Sequence, residues 1–308
     1  MGTNIFANND TPLDSYNPND PYSAISREAI SDNVLQADGG GNTDNLEGGY
    51  YYKVDGEYLG KEGRSQNVFL ADKKIVEDVY DKSNKKVGEK IKYINPKPLN
   101  VKNSFLVKKA ATTFAEGSQP YGYKDMIELS REAFTISRIH YNYPHIKAYG
   151  ETAPEAKRFE ILSEEKRNGG YTQICIGSVI QSILGQDITN GSTHWDGADI
   201  LCGRGSYGWD ATKHQKQKPE GNYKGISDPN ELANDFYNKW KNHLEHMLSL
   251  PNLNKNVKAD FQAKYNHLKP LNLYVPEYDD KGKLKYQPLY EIRTTYALTL
   301  FYKKINFK

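Results

Sequence analysis

The chain has 308 residues, of which 37% are hydrophobic and 24 are tyrosine, and its formal net charge is +2. This length can bury one large core or two modest ones. No stretch approaches the ~18 apolar residues of a membrane span, and two cysteines are too few for a disulfide framework. There is also no compact basic and aromatic patch. We therefore expect no membrane span and no nucleic-acid partner.

The first 47 residues are rich in Asn, Asp, Ser, Pro and Gly, which predicts a flexible acidic arm. Residues 1 to 50 carry eight acidic residues against one basic residue, Arg27. The N-terminus has neither the positively charged region nor the apolar region of a signal peptide. We therefore expect a protein that is made in the cytoplasm and leaves it, if at all, by a non-classical route.

Residues 48–100 are predicted to form an N-terminal extension that contains a β-hairpin. From Tyr50 to Asp72, the stretch YYYKVDGEYLGKEGRSQNVFLAD alternates bulky and polar side chains around Asp55-Gly56. An Asp-Gly pair between such runs favours a tight turn. We interpret the arm and the hairpin as a docking element, and the alternative is that they complete the fold.

Residues 101–308 are predicted to form one domain with a helical centre, followed by a C-terminal helix and a strand. A first helix begins near Ser104 and stops at Glu116, and a third extends over about residues 172–184. The second helix places five residues on one face at spacings of three and four. These residues are Met126, Leu129, Ala133, Ile136 and His140.

A fourth helix begins at Pro229, with Asp228 as its predicted N-cap. Its apolar stripe consists of Leu232, Phe236, Trp240, Leu244 and Met247. The final segment, YEIRTTYALTLFYKKI, alternates throughout and predicts one long strand beginning at Tyr290. Helices flanked by strands on both sides indicate the α+β class.

Two glutamates are candidate acids. Glu116 ends an apolar helical stretch, and a carboxylic acid at the edge of an apolar core is suited to protonating a leaving group. Glu132 lies in the middle of the second helix. It either enters a cleft as a second catalytic candidate or forms a surface ion pair with Arg131 or Arg138.

Three segments together resemble the germination-type cell-wall hydrolase family, whose members are lysozyme-like enzymes that cut the glycan strands of peptidoglycan. The segments are LVKKAATTFAEGS, the helix with REAFTISRIHYNY, and GQDITNGSTHWDG, all between residues 104 and 202. In that family a helix ends in a Gly-Glu-Ala or Gly-Glu-Ser element that carries a single catalytic glutamate. Here Glu116 stands at this position, and Ala115 replaces the glycine.

The resemblance implies a lysozyme-like helical core with an N-terminal β-hairpin and C-terminal strands. It also implies that the segment after the third helix lines a saccharide groove facing Glu116. Trp195 would stack on a sugar ring, and its polar neighbours would hydrogen-bond hydroxyl or N-acetyl groups. The implied substrate-binding residues are Asp187, Thr189, Asn190, His194, Trp195 and Asp196.

Two other functions stay open. Cys175, close to a predicted helix N-terminus, could be the nucleophile of a cysteine peptidase or amidase with His194 as its base. A non-enzymatic component of an injection or tail apparatus would use the same scaffold without activity. His243 and His246 do not form a known metal motif, so we expect no metal and no cofactor.

The expected substrate is peptidoglycan, cut by a muramidase or lytic transglycosylase that acts in the periplasm or cell wall. Without a signal peptide, such an enzyme would be released by lysis or carried by an injection apparatus. We therefore expect an antibacterial effector or phage-type lysin. An effector would have an immunity protein as a further partner.

Overall fold

The structure is a computed structural model that describes residues 48–146, 148–202, 229–271, 280–281 and 290–304. The predicted acidic arm and the predicted N-cap Asp228 lie outside these residues. The chain divides into two compact units. The N-terminal unit comprises residues 48–116 and 144–186, and the C-terminal unit comprises residues 117–143 and 187–304.

The N-terminal unit combines strands and helices. Its elements are β1 (Tyr50–Tyr52), β2 (Tyr58–Lys61), β3 (Asn67–Leu70), β4 (Lys73–Tyr80), β5 (Lys86–Ile94), β6 (Lys97–Lys102), α1 (Asn103–Glu116), α3 (Pro154–Glu160) and α4 (Gly170–Ile183). One sheet has the strand order β2-β1-β3-β6, and β4 and β5 form a separate two-stranded sheet. Helix α1 packs against α3 and α4.

The C-terminal unit has the same mixed character. Its elements are α2 (Met126–Asn142), β7 (His194–Asp196), α5 (Pro229–Ser249), α6 (Lys255–His267), β8 (Tyr290–Tyr296) and β9 (Thr299–Lys304). Its sheet has the order β7-β9-β8, with antiparallel pairing throughout. The mixture of helices and mainly antiparallel sheets agrees with the α+β class. No helix within the described residues is long and apolar enough to cross a membrane.

The predicted hairpin is present as β1 and β2, with Tyr50 opposite Lys61. Gly56 adopts a φ of 92° in the turn, a conformation that costs glycine little. The turn lies directly on α4: a β-carbon at Gly177 would be 2.6 Å from the carbonyl carbon of Asp55. This backbone contact makes the hairpin part of the core of the N-terminal unit.

The sheet and α1 are also joined by side chains. The buried Tyr52 hydroxyl donates a hydrogen bond to Oδ1 of Asn103, the first residue of α1, at 2.8 Å. The Tyr51 ring stacks on Tyr93 with centroids 3.7 Å apart. Residues 48–102 therefore provide both a hydrogen-bonded start for α1 and a separate aromatic cluster.

The predicted helices are confirmed as α1, α2, α4 and α5. Helix α2 begins after Asp125, whose carboxylate accepts hydrogen bonds from the N–H groups of Ile127 and Glu128. The predicted stripe of α5 is buried at Phe236, Trp240, Leu244 and Met247. Helix α6 was not predicted, because its sequence is mostly polar.

The single long C-terminal strand was a wrong prediction. The segment is a hairpin of β8 and β9 with Ala297 and Leu298 in its turn, where Tyr296 pairs with Thr299. Ala297 has a positive φ of 48°. Alternating side chains fit two paired strands as well as one long strand, so periodicity could not locate this turn.

Candidate functional site

Glu116 is the last residue of α1 and is half-buried. Its Oε1 accepts a hydrogen bond from the backbone N–H of Gly150, in the 3-10 turn Tyr149–Glu151. A β-carbon on Gly150 would lie 2.9 Å from Glu116 Cγ and 2.8 Å from the carbonyl oxygen of Thr112. Glycine therefore lets the backbone approach the carboxylate and fix its orientation.

Glu132, in contrast, is 0% exposed. It accepts hydrogen bonds from the Ser118 N–H at 2.8 Å, from the Ser118 hydroxyl, and from the Thr299 hydroxyl at 2.5 Å. Burial raises its pKa from the ordinary 4.5 to about 7, although these hydrogen bonds act in the opposite direction. A side chain in this position has no surface on which to meet a polymer.

The predicted surface ion pair of Glu132 with Arg131 or Arg138 is wrong, because the Glu132 side chain is buried. Arg131 lies near Glu128, with Nη1 3.6 Å from Oε1, and Arg138 lies near Asp187, with Nε 3.9 Å from Oδ2. The helical periodicity of α2 did not resolve which way Glu132 faces. Packing of α2 against the β8–β9 hairpin determines its rotation.

Ser118 connects Glu132 to the turn between β8 and β9. Its Oγ accepts a hydrogen bond from Leu298 N–H at 3.0 Å, while it donates to Glu132. Beside it, Glu128 Oε2 accepts from Ala297 N–H at 3.0 Å and lies 2.9 Å from Lys239 Nζ. Two carboxylates of α2 thus hold both N–H groups of the hairpin turn, one directly and one through Ser118.

The first half of the predicted sugar-binding loop is a turn. Asp187 is exposed, and its Oδ1 accepts the N–H of Thr189 at 2.7 Å, as in an Asx turn. Thr189 is buried, whereas Asn190 is exposed and has a φ of 56°. Thr189 therefore packs inside the unit, whereas Asp187 and Asn190 are accessible to a ligand.

The second half of this segment is a strand and not the predicted loop. His194, Trp195 and Asp196 form β7 and pair with Tyr302, Phe301 and Leu300 of β9. The pairing partner lies about a hundred residues later in the chain, so no local pattern could reveal it. Three residues are too short a run for alternation to indicate a strand.

Aromatic rings gather around β7. His194 stacks on Tyr302 with centroids 5.6 Å apart and an interplanar angle of 15°. Trp195 is partly exposed, and its ring centroid lies 6.5 Å from that of His140, with the two ring planes inclined at 61°. Asp196 Oδ1 accepts the Gly197 N–H at 2.9 Å. The C-terminal unit therefore brings Trp195, His194 and the end of α2 together.

Sequence reasoning did not assign Arg138 or Tyr302 to this cluster. Arg138 lies on α2, near Asp187 and with its guanidinium carbon 5.9 Å from the centroid of the Tyr141 ring. Arg138 is two residues before His140, so the sequence could have placed both side chains near the C-terminal end of α2. Tyr302 had no local signal, because it reaches His194 only through strand pairing.

The predicted site residues belong to different units. Glu116 is in the N-terminal unit, whereas Glu132 and the residues from Asp187 to Asp196 are in the C-terminal unit. Cys175, the alternative nucleophile, is 0% exposed within α4 of the N-terminal unit, and His194 belongs to the C-terminal unit. Neither unit by itself contains a Cys175–His194 pair.

Of the two histidines on α5, His243 has a structural environment. His243 is buried, its Nε2 lies 3.0 Å from the carbonyl oxygen of Tyr121, and burial lowers its pKa. Across the described ranges, no group of three or more His, Cys, Asp or Glu is placed to hold a metal ion.

Comparisons of the chain with protein-family models, with curated proteins and with solved structures gave no match. The family resemblance therefore depends on the three sequence segments alone.

Proposed function

We propose that this protein is a peptidoglycan glycosidase, either a muramidase or a lytic transglycosylase, with a lysozyme-like core and Glu116 as its catalytic acid. One observation carries the assignment of the acid. Of the two candidate glutamates, Glu116 is partly accessible and has its carboxylate held by the Gly150 N–H, whereas Glu132 is fully buried. The resemblance to germination-type cell-wall hydrolases supplies the substrate class.

The proposed reaction uses one carboxylic acid twice. Glu116 donates its proton to the glycosidic oxygen as the bond from that oxygen to the sugar C1 breaks. The N-acetyl group of the substrate stabilises the developing positive charge, since no second catalytic carboxylate is assigned. An oxygen then bonds to C1 while Glu116 accepts its proton. The oxygen of water gives a reducing end, and a hydroxyl oxygen of the same sugar gives an anhydro end.

The C-terminal unit supports a saccharide-binding role for the segment from Asp187 to Asp196. Trp195 offers a partly exposed ring, and His194 stacked on Tyr302 offers a second flat surface. Asp187 and Asn190 are exposed polar groups on a turn that hydrogen bonds already order. Ordered polar and aromatic groups bind sugars with little further loss of conformational entropy.

Digestion of purified peptidoglycan tests the proposal. Glu116→Gln keeps the size of the side chain but cannot donate a proton to the leaving group, so we expect a loss of about 10²- to 10⁴-fold in rate. Glu151→Gln is a matched control, because it makes the same change at an exposed residue of the neighbouring turn. The mass of the products distinguishes hydrated ends from anhydro ends.

Cys175→Ala addresses the peptidase alternative. Because Cys175 is buried and a small apolar residue can replace it, we expect full digestion by this variant. Loss of activity in Cys175→Ala with retention in Glu116→Gln would reverse the assignment. Absence of any product from the wild-type protein would favour the non-enzymatic structural role.

We further propose that the enzyme acts as an antibacterial effector or phage-type lysin. Toxicity to a bacterium should then require delivery to the periplasm, since the substrate is outside the cytoplasm. Expression of the chain with and without an added export signal tests this. Equal toxicity from both compartments would point to a different target.

A further inference from the structure

The second sheet of the N-terminal unit, β4 and β5 with their connecting turn, is a two-stranded arm. We call residues 73–94 the β4–β5 arm. Its base is packed, since Tyr93 is 7% exposed and stacks on Tyr51. Farther out the arm is solvated, and even Val76 and Val87 are 49% and 59% exposed. A ribbon of two strands is only marginally stable by itself. Because the solvated part of the arm adds little to the stability of the fold, its length indicates a role in binding.

The two faces of the arm differ in charge. On one face, Lys86 lies 2.6 Å from Asp78 and 3.0 Å from Glu89, measured from Nζ to the carboxylate oxygens. The exposed apolar pair Val76 and Ile91 lies on the same face. Lys74 also lies on this face, opposite Tyr93. Its two lysines therefore balance its two acidic residues, and the face is close to neutral.

The opposite face is basic. The register places Lys73 opposite Ile94, Ile75 opposite Lys92, and Glu77 opposite Lys90. Side chains alternate along a strand, so Lys73, Lys90 and Lys92 share one face. Among the described residues, none of these three lysines takes part in an ion pair, and Glu77 is the acid that shares their face. We call this surface the basic face.

The whole arm has the same bias, with seven lysines against four acidic residues. Two of those lysines, Lys82 and Lys85, lie in the turn at its tip. Lysines two positions apart on a strand are about 7 Å apart, a spacing that matches a polymer with regularly repeated negative charges. Charge complementarity therefore indicates a linear polyanion as the occupant of the basic face.

We propose that the basic face of the β4–β5 arm binds a phosphodiester-linked anionic polymer of the bacterial cell wall. The choice of source rests on the proposed function, since such polymers are attached to the glycan that the enzyme would cut. Nucleic acid fits less well because the basic face has no aromatic side chain on which bases could stack. The aromatic residues Tyr80 and Tyr93 belong to the other face of the arm.

Sedimentation with purified sacculi tests this proposal in the full chain carrying Glu116→Gln, which prevents digestion during the measurement. One set of sacculi keeps its phosphodiester polymers, and a second set has lost them through treatment with hydrofluoric acid. We expect tighter binding to the first set and progressive weakening as salt is added, because each lysine–phosphate contact releases counterions.

The triple variant Lys73→Gln, Lys90→Gln, Lys92→Gln should bind the untreated sacculi about 10-fold more weakly. The matched control is Lys255→Gln, Lys258→Gln, Lys269→Gln, which removes the same charge from exposed positions of the C-terminal unit. Equal loss in both triple variants, or equal binding to both sets of sacculi, would overturn the proposal. Stronger binding to single-stranded DNA than to the untreated sacculi would contradict the proposal that the bound polyanion is a cell-wall polymer.

Melting temperature and far-ultraviolet circular dichroism establish that the triple variant is folded. If the triple variant is not folded, inorganic polyphosphate is added to the Glu116→Gln chain as a competitor for the untreated sacculi. Failure of polyphosphate to displace the chain from these sacculi would count against the proposal. Binding is measured here without catalysis. A chain that binds as expected but never digests peptidoglycan would therefore disprove the glycosidase function and leave the polymer site intact.

Discussion

Ser118 donates hydrogen bonds from both its backbone N–H and its hydroxyl to the carboxylate of Glu132. The same hydroxyl accepts the N–H of Leu298, so a fully buried acid ties the segment after α1 to the β8–β9 turn. A carboxyl group in this place stabilises the C-terminal unit and is poorly placed to meet a substrate. Its protonation should still be measurable through stability.

We expect the stability of the wild-type protein to fall as the pH rises towards neutrality. The pKa of Glu132 is about 7 in the folded state and 4.5 ordinarily, so its stabilising contribution is complete below 4.5 and is lost as the pH rises through 7. The difference is on the order of 2 kcal/mol. Urea denaturation at about pH 5 and about pH 8 measures it.

Glu132→Gln is the control for this pH dependence, because the amide stays neutral at both pH values. Buried His243 acts in the opposite direction: burial lowers its pKa, so its contribution is lost as the pH falls below its ordinary 6.5. Subtracting the pH dependence of the free energy of unfolding of the Gln variant from that of the wild type gives the contribution of Glu132. An identical pH dependence in both proteins would mean that Glu132 stays ionised in the folded state.

Gly177→Ala should destabilise the protein by about 1–3 kcal/mol, since the new methyl group would collide with the backbone of Asp55 in the hairpin turn. Gly88→Ala is the matched control. Its β-carbon would meet nothing within 4 Å, and its φ is not positive. If both variants melt at the wild-type temperature, the hairpin does not pack on α4 as described.

A chain that starts at Lys102 should be insoluble. It loses β1 to β6, and with them the partner of Asn103 and the backbone contact on α4. A chain that starts at Gly48 is the comparison, and the difference between the two measures the contribution of the N-terminal sheets. A soluble, cooperatively melting fragment from Lys102 would show that these sheets are dispensable.

Trp195→Ala and Trp240→Ala should have contrasting effects. Trp240 is 3% exposed and donates its indole N–H to the Leu298 carbonyl at 2.9 Å, so truncation should cost about 3–5 kcal/mol of stability. Trp195 is partly exposed, so its truncation should cost little stability but weaken binding of a soluble glycan fragment. Titration followed by intrinsic fluorescence measures that binding. Unchanged affinity in Trp195→Ala would remove it from the saccharide site.

The local features of the fold could be predicted from the sequence because each depends on neighbours within a few residues. Apolar spacing located α2 and α5, and the Asp55-Gly56 pair located the first hairpin. Glu116 was also placed correctly at a helix end, since composition changes abruptly at Gly117. These signals operate through the helical period, the strand period and turn conformation.

Tertiary structure alone decided the environment of Glu132 and the form of the C-terminal segment. Glu132 is buried by Ser118 and Thr299, which are 14 and 167 residues away in the sequence. The turn at Ala297 is held by Glu128, 169 residues earlier, and β7 exists only through its pairing with β9. Hydrogen bonds between such distant residues depend on how the elements pack. The periodicity of a segment does not specify which distant residue becomes its hydrogen-bond partner.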